Sequence, residues 1–320
     1  MPPFVVALAP EETGLLTLDE WDRLRSLERV VFEEAGHPLA DRLNDAGVET
    51  VVRAGGPEGD EAVVLDPTSP RLLELARAGF EVSVGPASPP DPLSAAYAAP
   101  IARRAAASVA DLAAIMARLR SPDGCPWDRE QSHESLRVHL IEEAHEVLEA
   151  IDRDQLGAEL EDELGDVLLQ VAFHAQLAAE DGRFDLAGVA DRIVEKLLRR
   201  HPHVFGEIRV SSAGEVVRNW ETLKAQERDE SGPFDGVPGS LPALSTAYKV
   251  QKRAAGLGFE PDHEEVAAKA LASLKLGIAS GLPDDVGDAL FWLVALARSS
   301  GVDPEGALRK AVVRFRARYE

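Results

Sequence analysis

The sequence predicts a mainly α-helical protein that is preceded by a small α/β domain. From about residue 105 to the end, apolar residues recur at helical spacing and strand patterns are missing, whereas residues 1–84 mix short apolar runs with short helical patterns. The composition agrees, because 45% of the residues are apolar and only 5% are aromatic, so that alanine, leucine and valine must fill the cores.

The N-terminal domain contains four apolar runs that end at glycine or proline and therefore predict strands, over 4–10, 49–55, 61–66 and 80–86. Helices are predicted between them, over 19–36 and 70–79, and the proline-rich stretch 85–94 predicts a linker. The predicted domains are residues 1–95, an all-α domain over 105–230, a Gly/Pro linker over 231–244, and a second helical domain over 245–320.

The net charge of -22 disfavours binding to nucleic acid and attracts divalent cations. The single cysteine, Cys125, excludes an internal disulfide and suits a reducing compartment. The N-terminus lacks the basic region of a signal peptide, and no apolar run is long enough to span a bilayer. We expect a soluble, cytoplasmic protein without a membrane or nucleic-acid partner.

Two pairs of carboxylates have the spacing of a single helix face. Glu143 and Glu146 are three residues apart, and so are Glu163 and Asp166. The polar stretch 152–157 lies midway between the two pairs. If the two helices form an antiparallel hairpin that turns there, Glu143 faces Asp166, Glu146 faces Glu163, and four carboxylates meet at one height.

Solvated surface carboxylates are the alternative interpretation, because acidic residues are frequent in this chain. Apolar neighbours of both pairs argue for a metal site, since clustered anions repel one another unless a cation neutralises them, and the residues alone leave both interpretations open. Oxygen ligands favour Mg²⁺, Mn²⁺ or Ca²⁺ over zinc. A di-iron site built on the Glu-x-x-His pair Glu142 and His145 is disfavoured, since the second Glu-x-x-His motif is missing.

Five motifs follow one another along the predicted all-α domain. They are LRSPDGCPWDREQSHESL (119–136), LIEEAHEVLEAI (140–151), ELGDVLLQVAFHAQLAAEDGRFDL (163–186), KLLRRHPHVFG (196–206) and NWETLKAQER (219–228). Together they resemble the MazG family of nucleoside triphosphate pyrophosphohydrolases over residues 107–230. The resemblance implies helical hairpins in four-helix-bundle-like units, usually dimeric, and Mg²⁺-dependent hydrolysis of NTPs or dNTPs to a nucleoside monophosphate and diphosphate.

The resemblance also implies roles for single residues. Glu143, Glu146, Glu163 and Asp166 would bind Mg²⁺, which Mn²⁺ could replace, and Glu142 would accept the proton of the attacking water or bind a second metal.

Five further residues are expected at the substrate. Lys196 and Arg200, four apart on one helix face, would bind phosphate, although Lys196 could equally be a surface lysine. Trp220 and Lys224 would close over the nucleotide, with Trp220 as a core anchor as the alternative. Trp127 would pack near the base, or merely fix its loop.

The C-terminal domain resembles a second MazG repeat that has lost half of its carboxylates. Asp285 and Asp288 stand where Glu163 and Asp166 stand in the first repeat. A hairpin that turns near Ser280 would place them opposite Leu276 and Ser273, which cannot bind a metal. We expect this repeat to be catalytically inactive and to serve packing, dimer contacts or regulation.

Residues 7–38 resemble the beginning of tetrapyrrole methylases. The glycines of that family's first loop are replaced by APEE, so methyl transfer is expected to be lost, because the tight cofactor loop needs glycine.

The carboxylate set and the resemblance to the MazG family together predict a nucleotide pyrophosphohydrolase that removes nucleotides from the pool. A nucleotide-sensing protein without turnover is the alternative, and the intact carboxylate set argues against it.

Overall fold

A computed structural model describes residues 3–87, 89–226, 232, 234–258 and 261–319, with the backbone alone at 218, 221, 222 and 224–226. The chain divides into two compact units, Met1–Arg209 and Val210–Glu320. The first unit contains a five-stranded sheet and a set of helices, and the described residues of the second unit form helices and connecting turns without a strand. A mainly α protein with an α/β N-terminal part is thus confirmed.

The sheet is entirely parallel, with the strand order β3-β2-β4-β1-β5. Its strands are β1 (Phe4–Ala7), β2 (Arg29–Phe32), β3 (Glu49–Val52), β4 (Ala62–Leu65) and β5 (Glu81–Ser83). Valine dominates these strands, and alternate residues face opposite sides. Val5 and Val63 pack beneath one layer of helices, and Phe4 and Val64 beneath the other.

The helix predicted over 19–36 is wrong in its second half. The helix α1 (Leu18–Arg25) is present, but Arg29–Phe32 forms the strand β2 between β3 and β4. Val30 and Val31 are both fully buried, each on a different face of the sheet. Burial of both faces of a β-branched run outweighs the helical pattern around it.

Three further helices complete the packing of the sheet: α2 (Pro38–Asp45), α3 (Arg71–Arg77) and α4 (Pro92–Arg120). The helix α4 begins inside the linker predicted over 85–94, where Asp91 caps it through the backbone N–H of Ser94. Ala95 and Ala99 pack on the sheet, whereas Met116 packs among the helices that follow. One continuous helix therefore connects the α/β part to the helical part of the first unit.

An ion pair buried from solvent joins α4 to the sheet domain. The Arg103 guanidinium donates to the Glu20 carboxylate at 2.8 Å and to the carbonyl oxygens of Ala7 and Leu15. Glu20 also accepts from Ser83 and from the backbone N–H of Thr17. Burial is the largest influence and would raise the pKa of Glu20, but the hydrogen bonds outweigh it and lower this pKa to about 2.

The remaining helices of the first unit are α5 (Pro126–Glu130), α6 (Arg137–Asp152), α7 (Ala158–Glu180), α8 (Leu186–Arg200) and α9 (Pro202–Phe205). The second unit contains α10 (Ala213–Gln226), α11 (Ala243–Gly256), α12 (His263–Ser280), α13 (Pro283–Ser299) and α14 (Pro304–Arg316). None of the described helices is long and apolar enough to cross a membrane.

Candidate metal centre

The helices α6 and α7 form the antiparallel hairpin that the carboxylate spacing predicts. The connection covers residues 153–157, inside the predicted turn, and Asp154 adopts a left-handed conformation there with φ of 60°. Aspartate tolerates this conformation better than most residues. The chain therefore reverses at the point that brings the two carboxylate pairs to the same height.

Three of the four predicted ligands meet across this hairpin. Carboxylate oxygens of Glu143, Glu163 and Asp166 all lie within 4.8 Å of one another. Glu143 and Glu163 are half-buried and Asp166 is exposed, so that the group is open to solvent on one side. Glu146 is not part of this 4.8 Å group, although its carboxylate is close enough to share a hydrogen bond with Glu143.

The clustered negative charges disturb the titration of two of these residues. Burial, the hydrogen bond with Glu146 and repulsion from Asp166 raise the pKa of Glu143. Burial and repulsion, first from Glu146 and then from Asp166, raise the pKa of Glu163. A set of oxygen ligands with excess negative charge fits a hard divalent cation such as Mg²⁺ or Mn²⁺.

Gly165, a glycine in the interior of α7, predicts the close approach of another helix or of a ligand, and no other helix among the described residues of this chain approaches it. A Cβ atom added there would meet no atom of another residue within 4 Å, apart from its chain neighbours and the backbone of its own helix. This face of α7 is open in the single chain, and the predicted neighbour of the glycine stays a prediction.

Trp127 and Glu142 both contact one histidine, His139, that the sequence did not single out. The indole of Trp127 is 53% exposed, and its ring centre lies 6.1 Å from that of His139 in an edge-on arrangement. The Nδ1 atom of His139 lies 3.3 Å from a carboxylate oxygen of Glu142. The exposed Glu142 thus contacts His139 and is not part of the 4.8 Å group.

The other predicted substrate-binding residues belong to two different units. Lys196 is exposed and Arg200 is half-buried near the C-terminal end of α8, in the first unit. Trp220, 38% exposed, belongs to α10 of the second unit, and the side chain of Lys224 lies outside the described residues.

Sequence comparison identifies the family. Residues 131–205 match the MazG nucleotide pyrophosphohydrolase domain. A Thermotoga maritima protein named nucleoside triphosphate pyrophosphohydrolase/pyrophosphatase MazG is 46% identical over 66% of this chain and 83% of its own length. An Escherichia coli nucleoside triphosphate pyrophosphohydrolase is 40% identical over 65% of this chain and 84% of its length. The chain belongs to the MazG family.

One relative extends the similarity over nearly the whole chain. The Bacillus subtilis protein YabN is 36% identical over 96% of this chain and 64% of its own length. The matched MazG domain contains the hairpin of α6 and α7, and with it all four predicted ligands.

The MazG domain also contains a histidine pair that sequence reasoning missed. The Nδ1 atoms of His133 and His174 are 2.7 Å apart, and Arg183 donates to Nε2 of His133 at 3.0 Å. Because arginine only donates, neutral His133 must carry its proton on Nδ1 and donate it to His174. Burial and the neighbouring His133 lower the pKa of His174. The partners are 41 residues apart, so no local spacing could reveal them.

Gln170 was missed as well, although the sequence contains a signal for it. It interrupts the apolar run VLLQVAF one helical turn after Asp166, is 5% exposed, and its Oε1 atom has no hydrogen-bond partner among the described residues. A polar side chain within an apolar stripe, on the face that holds the carboxylates, is the pattern that would have identified it.

The C-terminal domain predicted over 245–320 has no comparable cluster among its described residues. The helices α12 and α13 form the predicted hairpin, which turns at Gly281 with φ of 61°. A Cβ atom added at Gly277 would lie 3.1 Å from the carbonyl oxygen of Asp285, so these two residues face each other across the hairpin. The spacing predicts Leu276 opposite Asp285, and the observed partner is the next residue in the chain.

Proposed function

We propose that the MazG domain hydrolyses nucleoside and deoxynucleoside triphosphates to nucleoside monophosphate and diphosphate, using Mg²⁺ bound by Glu143, Glu146, Glu163 and Asp166. The observation that supports this proposal is the meeting of three carboxylates within 4.8 Å across the α6–α7 hairpin. Membership in the MazG family supports the reaction class.

The residues present fit a divalent cation. All candidate ligands are carboxylate oxygens, the raised pKa values of Glu143 and Glu163 reflect uncompensated negative charge, and Glu146 is close enough to join on a small side-chain movement. When bound, Mg²⁺ neutralises phosphate charge and lowers the pKa of a coordinated water. The carboxylates fix the ion on a rigid helix pair, and positioning of this kind is the main source of catalysis in phosphoryl transfer.

Glu142 is proposed as the acceptor of the proton from the attacking water. It precedes the ligand Glu143 by one residue, and its contact with His139 holds the carboxylate in place. Trp127, which contacts the same histidine, offers an exposed ring for the base of the nucleotide. His139 would therefore position both groups.

Lys196 and Arg200 are proposed to bind the phosphates of the substrate and of the leaving diphosphate, since they lie four residues apart on α8. Trp220 and Lys224 are proposed to bind the nucleotide, a role that rests on the sequence resemblance alone. The second repeat is proposed to be catalytically inactive, and residues 1–95 to be a remnant of a tetrapyrrole methylase without methyl transfer.

A homodimer in the cytoplasm, acting in removal of unwanted nucleotides, is the proposed physiological form. Large apolar side chains on α6 and α7 are exposed in the single chain: Leu140, Ile141, Leu148, Ile151, Leu164 and Leu168. An exposed apolar face of this extent on a helical hairpin favours association.

Product analysis tests the proposed reaction. The full chain is incubated with each NTP and dNTP in Mg²⁺ or Mn²⁺, with EDTA as the metal-free control, and the products are separated. Nucleoside monophosphate and diphosphate in equal amounts are expected. Nucleoside diphosphate with inorganic phosphate would refute α–β cleavage, and binding without turnover of any nucleotide would favour a sensor.

A further inference from the structure

The second repeat contains a cavity of about 420 Å³ that the proposed reaction does not use. It lies between α11, the beginning of α12 and the second half of α13, entirely within the second unit. Its lining includes polar, cationic, aromatic and small side chains, among them Gln251, Lys269, Phe291, Trp292, Ala295 and Arg298. Its volume falls within the range of small-molecule sites.

Comparison of the two repeats explains the presence of this cavity. The offset that aligns Asp285 with Glu163 also aligns Ala295 with Phe173 and Trp292 with Gln170. In the first repeat Phe173 is 3% exposed and fills the core next to Met116. An alanine at that position leaves the space of a phenyl ring open.

A buried amide faces this cavity with an unused acceptor. Gln251 is 7% exposed, and its Nε2 atom donates to the carbonyl oxygen of Phe291 at 2.8 Å. Because that carbonyl only accepts, the amide cannot be turned round, and Oε1 is the atom left over. No donor reaches Oε1 among the described residues. A buried acceptor without a donor is unfavourable, so a ligand that donates a hydrogen bond there would be bound selectively.

The other walls suit a flat aromatic ligand. The rings of Phe291 and Trp292 are nearly perpendicular, at 87°, with their centres 6.1 Å apart, and so form a corner. The Lys269 ammonium lies 4.8 Å from the centre of the Trp292 ring and 2.7 Å from Glu265. Arg298 adds a guanidinium to the lining. Aromatic side chains beside cationic groups are common partners of nucleobases and their phosphates.

We propose that the second repeat binds an amino-bearing nucleobase, carried by a nucleoside or a nucleotide, in this cavity without a metal ion. The exocyclic amino group donates to Oε1 of Gln251, and the ring packs against Trp292. The site is separate from the carboxylate cluster of the first hairpin and makes the inactive repeat a binding module.

Calorimetry of the full chain in EDTA tests this site, because binding that depends on Mg²⁺ is then abolished. The probes are adenosine, AMP and inosine. One adenosine per chain is expected, with inosine at least tenfold weaker because it lacks the amino donor. Tighter binding of AMP than of adenosine would show that a nucleotide is the ligand, and equal binding that a nucleoside suffices. Absence of adenosine binding, or equal binding of inosine, would overturn the proposal.

Two variants locate the binding. Ala295→Phe restores the phenyl group of the first repeat and should abolish adenosine binding, and Gln251→Leu should weaken it at least tenfold. Ala268→Phe, at an exposed position of α12, is the matched control and should bind as the unmodified protein does. Unchanged affinity in a cooperatively folded Ala295→Phe, or in Gln251→Leu if the former does not fold, would overturn the assignment.

Discussion

At the residue scale, the negative charges of Glu143 and Glu163 are held on half-buried positions of two facing helices, where each raises the energy of the other. In the absence of a cation this arrangement opposes folding, because like charges in partly desolvated positions repel. Binding of a divalent ion neutralises this repulsion and raises the free energy of unfolding, since a ligand that binds the folded state stabilises it.

Replacement of Glu163 by glutamine should therefore change the melting temperature, relative to the unmodified protein, in opposite directions with and without metal. In EDTA, Glu163→Gln is expected to raise the melting temperature, since one repelling charge is removed. In Mg²⁺ the unmodified protein should gain melting temperature and the variant should gain little. Differential scanning calorimetry measures both, with Asp288→Asn as the matched control. An unmodified protein that gains no melting temperature in Mg²⁺ would contradict the metal assignment.

The pair of Arg103 and Glu20 gives a second prediction at the residue scale. Arg103→Met leaves the Glu20 carboxylate buried without its cation, which costs about 3–5 kcal/mol of unfolding free energy. The control is Arg153→Met, which breaks an exposed pair with Glu149 on α6 and should cost less than about 1 kcal/mol. Urea denaturation measures both, and equal losses would show that the buried pair is not needed to join α4 to the sheet.

The same pair predicts acid sensitivity. The pKa of Glu20 is lowered from 4.5 to about 2, so the stabilisation that it provides is complete above 4.5 and is lost as the pH falls towards 2. The loss should amount to roughly 3 kcal/mol of unfolding free energy over that interval. The difference in stability between the unmodified protein and Glu20→Gln should shrink as the solution is acidified. A constant difference from pH 5 downward would rule out this linkage.

At the element scale, the α6–α7 hairpin is the part of the molecule that the sequence predicts best. The 153–157 turn follows from carboxylate spacing and polarity alone, and the α12–α13 hairpin follows from the same arithmetic. Both are local structures in which each helix packs on its neighbour in the chain, so short-range patterns contain the necessary information.

Elements that depend on distant contacts were not predictable in this way. The strand β2 owes its conformation to β3 and β4 on either side, and a helical pattern continues into it from α1. The continuous helix α4 is hidden by the prolines that precede it. His139, the His133–His174 pair and the buried Gln170 depend on side-chain packing, although Gln170 is visible in retrospect as a polar residue in an apolar run.

At the scale of the whole molecule, the exposed apolar side chains of α6 and α7 contrast with a chain of net charge -22. Charge elsewhere on the surface repels other copies, so we expect the proposed dimer to form through apolar surface such as this face. The expected dimer places apolar surfaces of two hairpins together beside the metal ligands.

Sedimentation equilibrium tests this association, and twice the chain mass of 34.4 kDa is expected. Leu148→Arg, on the exposed face of α6, should shift the protein towards the monomer. Leu18→Arg, on the N-terminal domain, replaces a leucine that is 75% exposed and should leave the dimer intact. A monomeric unmodified protein, or a dimer indifferent to Leu148→Arg, would contradict the proposed interface.

In the proposed mechanism the carboxylates of the first hairpin, and not those of the second, support hydrolysis. The most direct measurement is the rate of diphosphate release from NTP in Mg²⁺ for Glu163→Ala and for Asp288→Ala. The first variant changes α7 of the first hairpin, and the second changes α13, the corresponding helix of the second hairpin. Glu163→Ala should lower kcat/KM by about 10³-fold or more, because a metal ligand is lost, and Asp288→Ala should retain nearly all activity. Equal losses in the two variants, or full activity in Glu163→Ala, would contradict the account.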